Sequence, residues 1–121
     1  MSILVTGGSG MVGFALQRAC PEAIYISSSD FDLRDWKQTQ EMFATHTPSQ
    51  VIHLAAKVGG VKANMDYLGE FYRDNILINT NILEAARQSG VGKVVSLLST
   101  CVYPDNVRYP LTEDQIHNGP P

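Results

Sequence analysis

The first thirteen residues constrain the fold more than anything that follows them. Val5-Thr6-Gly7-Gly8-Ser9-Gly10-Met11-Val12-Gly13 spell T-G-G-x-G-x-x-G directly after the apolar run Ile3-Leu4-Val5. A strand that ends in such a loop and opens into a helix cradles a dinucleotide pyrophosphate. Glycines let the backbone turn tightly and approach the phosphates with no Cβ in the way. The amides of the first helical turn then point at the anion, and the helix dipole adds about half a positive charge. Gly7, Gly8, Ser9, Gly10, Met11, Val12 and Gly13 are therefore the candidate pyrophosphate-binding residues. The competing reading is a Gly-rich turn without a ligand. Against it stand the strand before the motif and the apolar-rich segment 11–19 after it.

The 121 residues fit one domain, and 44% hydrophobic residues is an ordinary share for a chain that buries a core. A net charge of −3 leaves no basic surface for nucleic acid. No apolar run approaches the roughly 20 residues that span a bilayer, so no membrane partner is expected. The first residues carry neither a basic n-region nor an A-x-A cleavage site, so no signal peptide is expected. Cys20 and Cys101 sit far apart without metal-ligand spacing. No metal site is expected, and the cysteine usage suits a reducing, cytoplasmic location.

The pattern predicts strands over residues 2–6, 23–27, 50–54 and 93–98. It predicts helices over residues 11–20, 36–46 and 67–89, with Pro21, Pro48 and Gly90 as stops. Strands alternating with helices imply an α/β fold, a Rossmann-type parallel sheet with helices on both faces. The expected strand order is 3-2-1-4. A doubly wound sheet has two halves. From Ser99 on, no further strand or long helix is evident, so the sheet is expected to be incomplete, with its fourth strand an exposed apolar edge. Residues 1–121 are accordingly expected to be the N-terminal part of an NAD(P)-binding domain, with the substrate domain outside them.

Three further segments could carry chemistry. After the second strand the chain reads Ser27-Ser28-Ser29-Asp30-Phe31-Asp32-Leu33-Arg34-Asp35. An acid at this strand end would bind a ribose 2′-hydroxyl and favour NAD. Serine hydroxyls, Ser28 among them, can instead donate to a 2′-phosphate and favour NADP. Asp30 is the opposing candidate, and Asp35 reads as a helix N-cap. The third strand ends in His53-Leu54-Ala55-Ala56, where small residues let a cofactor lie across the backbone. His53 itself reads as a core histidine, and Lys57 as a solvated lysine with a phosphate as its alternative. Gly59-Gly60 flexes around a ligand or makes a turn. Beyond the fourth strand stand Ser99, Thr100 and Cys101, where ligands bind in open α/β sheets. A hydroxyl can polarise a carbonyl, and a thiol can exchange a proton at carbon. The alternative is a strand cap beside a small buried hydrophobe.

With these residues in place, the chain resembles an extended short-chain dehydrogenase/reductase. The likeness is carried by the T-G-G-x-G-x-x-G loop, Asp32-Leu33, His53-Leu54-Ala55-Ala56, Asn75 and the Ser99 segment. Residues 55–60, 98–104 and 116–121 are similar to the GDP-L-fucose synthase branch of that superfamily. The resemblance implies epimerisation of GDP-4-keto-6-deoxy-D-mannose at C3 and C5, followed by NADPH reduction at C4. The 4-keto group acidifies the protons at C3 and C5, so an acid/base pair can invert both before the hydride arrives. It further implies that Ser99 polarises the C4 oxygen and that Cys101 is one proton-transfer group. Asp32 and Leu33 would touch the adenine, with Leu54, Ala55 and Ala56 along the cofactor. Gly7, Gly10 and Gly13 would line the pyrophosphate. The full-length enzyme would be a homodimer acting on a nucleotide sugar.

The superfamily's Tyr-x-x-x-Lys pair does not occur within these residues. The resemblance therefore implies that this stretch alone does not complete catalysis. Some relatives carry an arginine in the Gly-rich loop that meets the 2′-phosphate, where Gly8 or Ser9 stands here. Two other readings remain open. One is another nucleotide-sugar epimerase or dehydratase of the superfamily; the other is a non-catalytic dinucleotide-binding module.

Overall fold

The structure, a computed structural model, describes residues 1–59 and 61–121. Gly60, half of the Gly59-Gly60 pair, lies outside the described residues. The elements run β1 (Ile3–Thr6), α1 (Met11–Ala19), β2 (Ile24–Ile26), α2 (Trp36–His46), β3 (Gln50–His53), α3 (Val61–Asp66), α4 (Leu68–Gln88) and β4 (Lys93–Ser96). Two single 3-10 turns follow, Thr100–Val102 and Glu113–Gln115. Residues 55–65, expected to be a connection, instead lead into the short helix α3 from Val61 on.

The four strands form one parallel sheet in the order β2-β1-β3-β4. This corrects the expected 3-2-1-4. The physical reason lies in the strands themselves. β2 has only three residues, two of them half-buried, which suits an edge. β3 carries Val51 at 1% and His53 at 4% exposure, so it belongs inside. It pairs with β1 in the register Leu4 to Val51 and Thr6 to His53, and β4 then pairs with its other side.

That order makes the chain leave β1 for β2 in one direction and travel from β2 through β3 to β4 in the other. Right-handed crossovers therefore put α1 on one face and α2 with α4 on the opposite one. The core lies under α2 and α4, where Leu4, Val51, Met42, Phe43 and Ile82 interdigitate. Asp35 caps α2 by accepting from the Lys37 amide at 3.0 Å. Asn81 on α4 donates to the Leu33 carbonyl at 2.9 Å and ties the loop after β2 to that helix. Among the described residues no helix is long and apolar enough to cross a membrane, and no His, Cys, Asp and Glu side chains cluster to hold a metal.

Candidate dinucleotide site

The reversal in the direction of the crossovers opens a crevice between the loops that follow β1 and β3. This is where open α/β sheets bind ligands. The cleft has a volume of about 770 Å³. Its lining includes Gly7, Ser9, Gly10, Met11, Val12, Gly13, Ser28, Asp32, Leu33, Leu54, Ala55 and Ala56. Of the loop candidates named from sequence, Gly8 stands apart. Its amide donates to the Ile26 carbonyl at 2.8 Å and fastens the loop to β2 instead.

Two close approaches explain the glycine spacing. Gly7 has φ +69°, and a Cβ there would lie 2.8 Å from the Ala55 amide nitrogen, so the two loops touch backbone to backbone. A Cβ on Gly13 would lie 2.6 Å from both the Gly7 and the Gly8 carbonyl oxygens, so α1 packs directly on its own entry loop. The Gly10 amide donates to Gly7 and the Phe14 amide to Gly10. Among the described residues the amides of Met11, Val12 and Gly13 meet no acceptor, and Gly10 offers no side-chain cap. Three uncommitted donors at a helix N-terminus, on the wall of a cleft, fit an anionic diphosphate.

Behind the cleft a buried network holds the two loops in register. His53 donates from Nε2 to the Asn79 side-chain oxygen at 2.9 Å, so Nδ1 is free to accept the Thr6 hydroxyl at 2.7 Å. Thr6 Oγ1 in turn accepts from the amides of Leu54 and Ala55, each at 3.2 Å. Burial pushes the His53 imidazole below its ordinary value, which suits the neutral ring this network needs. His53 is thus the core histidine the sequence suggested. Asn75 works similarly: its amide accepts from Lys57 N at 2.8 Å and donates to Lys57 O at 3.0 Å.

At the β2 end the serines and the acids separate. Ser27 and Ser28 line the cleft, and Asp30 does not. Asp30 folds back to accept from the Ser27 amide at 2.9 Å and the Ser27 hydroxyl at 3.0 Å, which hold its carboxyl below the usual range. Asp32 lines the cleft in a two-pronged pair with Arg34, at 3.0 and 2.9 Å. That pair lowers the carboxyl and raises the guanidinium.

Sequence reasoning missed the partner of this pair. Asp74 on α4 is only 1% exposed and also lines the cleft. Its Oδ2 lies 3.1 Å from Lys57 Nζ and 3.5 Å from Arg34 Nη1, and its Oδ1 lies 3.0 Å from Arg73 Nε. Burial by itself would raise the Asp74 carboxyl, yet Lys57 and Arg73 hold it below its ordinary value. Lys57, raised chiefly by Asp74, is thus ion-paired and partly exposed rather than simply solvated. These partners stand 40, 17 and one residue apart along the chain, so only the Arg73-Asp74 step leaves a local trace.

Ser99 and Cys101 do not reach the main cleft. They line a separate hollow of about 570 Å³ with Val102, Ile116 and His117. Ser99 accepts the Cys101 amide at 3.1 Å and so caps the turn, and Cys101 is exposed rather than buried.

A family model described as the NAD dependent epimerase/dehydratase family matches residues 3–121. The chain is 46% identical to a GDP-L-fucose synthase of Dictyostelium discoideum, over 99% of this chain and 40% of that one. It is 47% identical to a probable GDP-L-fucose synthase of Drosophila melanogaster, over 98% and 39% respectively. A solved GDP-L-fucose synthetase from Naegleria fowleri bound to NADP superimposes with a TM-score of 0.84 at 43% identity, covering 99% of this chain and 40% of that one. The chain thus spans about 40% of the length of the relatives it matches.

Proposed function

Because the chain belongs to the NAD dependent epimerase/dehydratase family, we propose that residues 1–121 form the N-terminal, cofactor-holding part of a GDP-L-fucose synthase. The observation that carries this reading is the set of uncommitted amides at Met11, Val12 and Gly13, on the wall of a cleft whose loops touch at Gly7. These amides would bind the pyrophosphate of NADPH. Asp32 and Leu33 would flank its adenine, and Ser28 would meet its 2′-phosphate. Leu54, Ala55 and Ala56 present backbone and small side chains along which the cofactor can lie. When bound, NADPH would supply hydride to C4 of GDP-4-keto-6-deoxy-D-mannose.

On the substrate side, the Ser99 hydroxyl would donate to the C4 keto oxygen and withdraw charge from it. A C–H bond beside that carbonyl then breaks more easily, and Cys101 would carry a proton to or from one of the two inverted carbons. Both groups lie on one short turn, so they can serve one sugar. Exposed apolar residues along α4, Leu68, Tyr72, Ile76 and Leu83, support a homodimer of the longer protein. Two free cysteines suit a reducing cytoplasm.

Calorimetric titration of the chain with NADPH and NADH tests the cofactor reading, with circular dichroism to follow folding. Micromolar to sub-millimolar NADPH binding, tighter than NADH and abolished in Gly13→Val, is expected. Absence of binding in a folded chain overturns it. The placement of Ser99 and Cys101 outside the main cleft favours a second reading, a dinucleotide-binding module without catalysis. Heat from a GDP-sugar titrated into the NADPH-saturated chain would overturn that second reading.

A further inference from the structure

Asp74 is a buried carboxylate that gathers cations from three separate segments at the wall of the cleft. Arg34 arrives from the loop after β2, Lys57 from the loop after β3 and Arg73 from α4 itself. Arg34 also pairs with Asp32, and Lys57 also pairs with Glu70 at 3.4 Å. Three cations therefore face three carboxylates, and the cluster closes at zero net charge. Arg34, Asp32, Lys57 and Asp74 all line the same cleft as Ser27 and Ser28.

A 2′-phosphate is recognised by uncommitted positive charge and by hydrogen-bond donors. Here both cations on the cleft wall are already committed, and a single oxygen, Asp74 Oδ2, engages the two of them. Arg34 keeps only the N–H groups that Asp32 and Asp74 leave over. We propose that Asp74 is the residue that sets selectivity between dinucleotides with and without a 2′-phosphate, by restraining and neutralising Arg34 and Lys57. The serine hydroxyls then supply geometry, while the buried carboxylate decides how much positive charge the phosphate meets. Asp74 touches no reacting atom: it acts through Arg34 and Lys57. Its burial keeps salt from screening its field. This inference rests on the dinucleotide reading of the cleft.

The experiment measures the ratio of NADPH to NADH affinity, because a general loosening of the fold weakens both and leaves the ratio alone. Removing one negative charge from the cleft wall is expected to raise the ratio about tenfold in Asp74→Asn. Asp74→Glu keeps the charge and is expected to hold the wild-type ratio. Arg34→Gln is expected to lower the ratio, and the gain from Asp74→Asn is expected to shrink in the double variant. A wild-type ratio in folded Asp74→Asn, with both nucleotides bound, overturns this inference and leaves the cofactor reading intact. If Asp74→Asn fails to fold, half-exposed Arg34 decides: an unchanged ratio in Arg34→Gln overturns the inference. No binding of either nucleotide to the folded wild-type chain overturns the cofactor reading and this inference together.

Discussion

On the face covered by α2 and α4, Leu4, Val51, Met42, Phe43, Ile82 and Ala85 are at most 2% exposed, whereas on the α1 face Phe14 is 61% and Val95 41% exposed. The difference follows from topology. Two successive crossovers run in one direction and stack two helices side by side, while the single reverse crossover supplies α1 alone. Of α1 only Gly13 is buried. Each large aliphatic chain sealed under α2 and α4 contributes about 1.5–3 kcal/mol relative to exposure. Phe14 and Val95 gain little of this, and Leu97 and Leu98 beyond β4 are exposed as well. Stability is thus concentrated on one face, while the uncommitted amides of Met11, Val12 and Gly13 sit at the N-terminal end of the sparsely packed helix on the other.

The largest way to break this contrast is Ile82→Ala. It removes a fully buried side chain from the packed face and is expected to cost about 2–5 kcal/mol, read as a lower urea midpoint. Gly13→Ala attacks the other face where α1 packs on its entry loop. The new methyl meets two backbone carbonyl oxygens, so about 1–3 kcal/mol of stability and most NADPH affinity should disappear together. If Gly13→Ala binds NADPH normally, the close packing of α1 on its loop has no bearing on the site. Asp35→Ala removes the cap of α2 and is expected to cost about 1 kcal/mol in the same denaturation series.

Protonation sharpens the comparison differently, because His53 lies on the packed side. Its folded value is depressed by burial, so the unfolded chain binds the proton first as the pH falls. The His53 contribution should be intact above the ordinary value of 6.5 and be lost progressively as pH falls from there through the lower folded value. His53→Gln should flatten the stability profile as the pH falls below the ordinary value of 6.5; an unaltered slope would remove His53 as its source. The smallest effect is expected for Phe14→Ser, within about 0.5 kcal/mol of wild type, with less aggregation in light scattering. A loss near that of Ile82→Ala would erase the difference between the faces.

Much of the site was legible in the sequence because its signals are local. The spacing of Gly7, Gly10 and Gly13 encodes a turn, a close approach and a helix start within seven residues, and each lies where that spacing implies. Asp35 capping a helix at Trp36 was equally readable. Ser28 and Asp30 could not be separated, since both sit beside a strand end and only the fold of the turn directs Asp30 back onto Ser27. Gly8 shows the reverse case, a motif glycine spent on holding β2. The Asp74 cluster was out of reach because its partners come from three loops and helices distant along the chain.

By itself, then, the sequence determined the parallel α/β class, the glycine-rich loop and the positions of α1, α2 and α4, because hydrophobic period, glycine spacing and capping act over a few residues. The tertiary structure alone decided the order β2-β1-β3-β4, the face on which the core gathers, the separation of Ser99 and Cys101 from the main cleft, and the charges that surround Asp74. Those outcomes depend on which strand edge satisfies which neighbour and on which side chains meet across long stretches of chain. Such pairings are settled only when the whole sheet closes and its buried polar groups find partners.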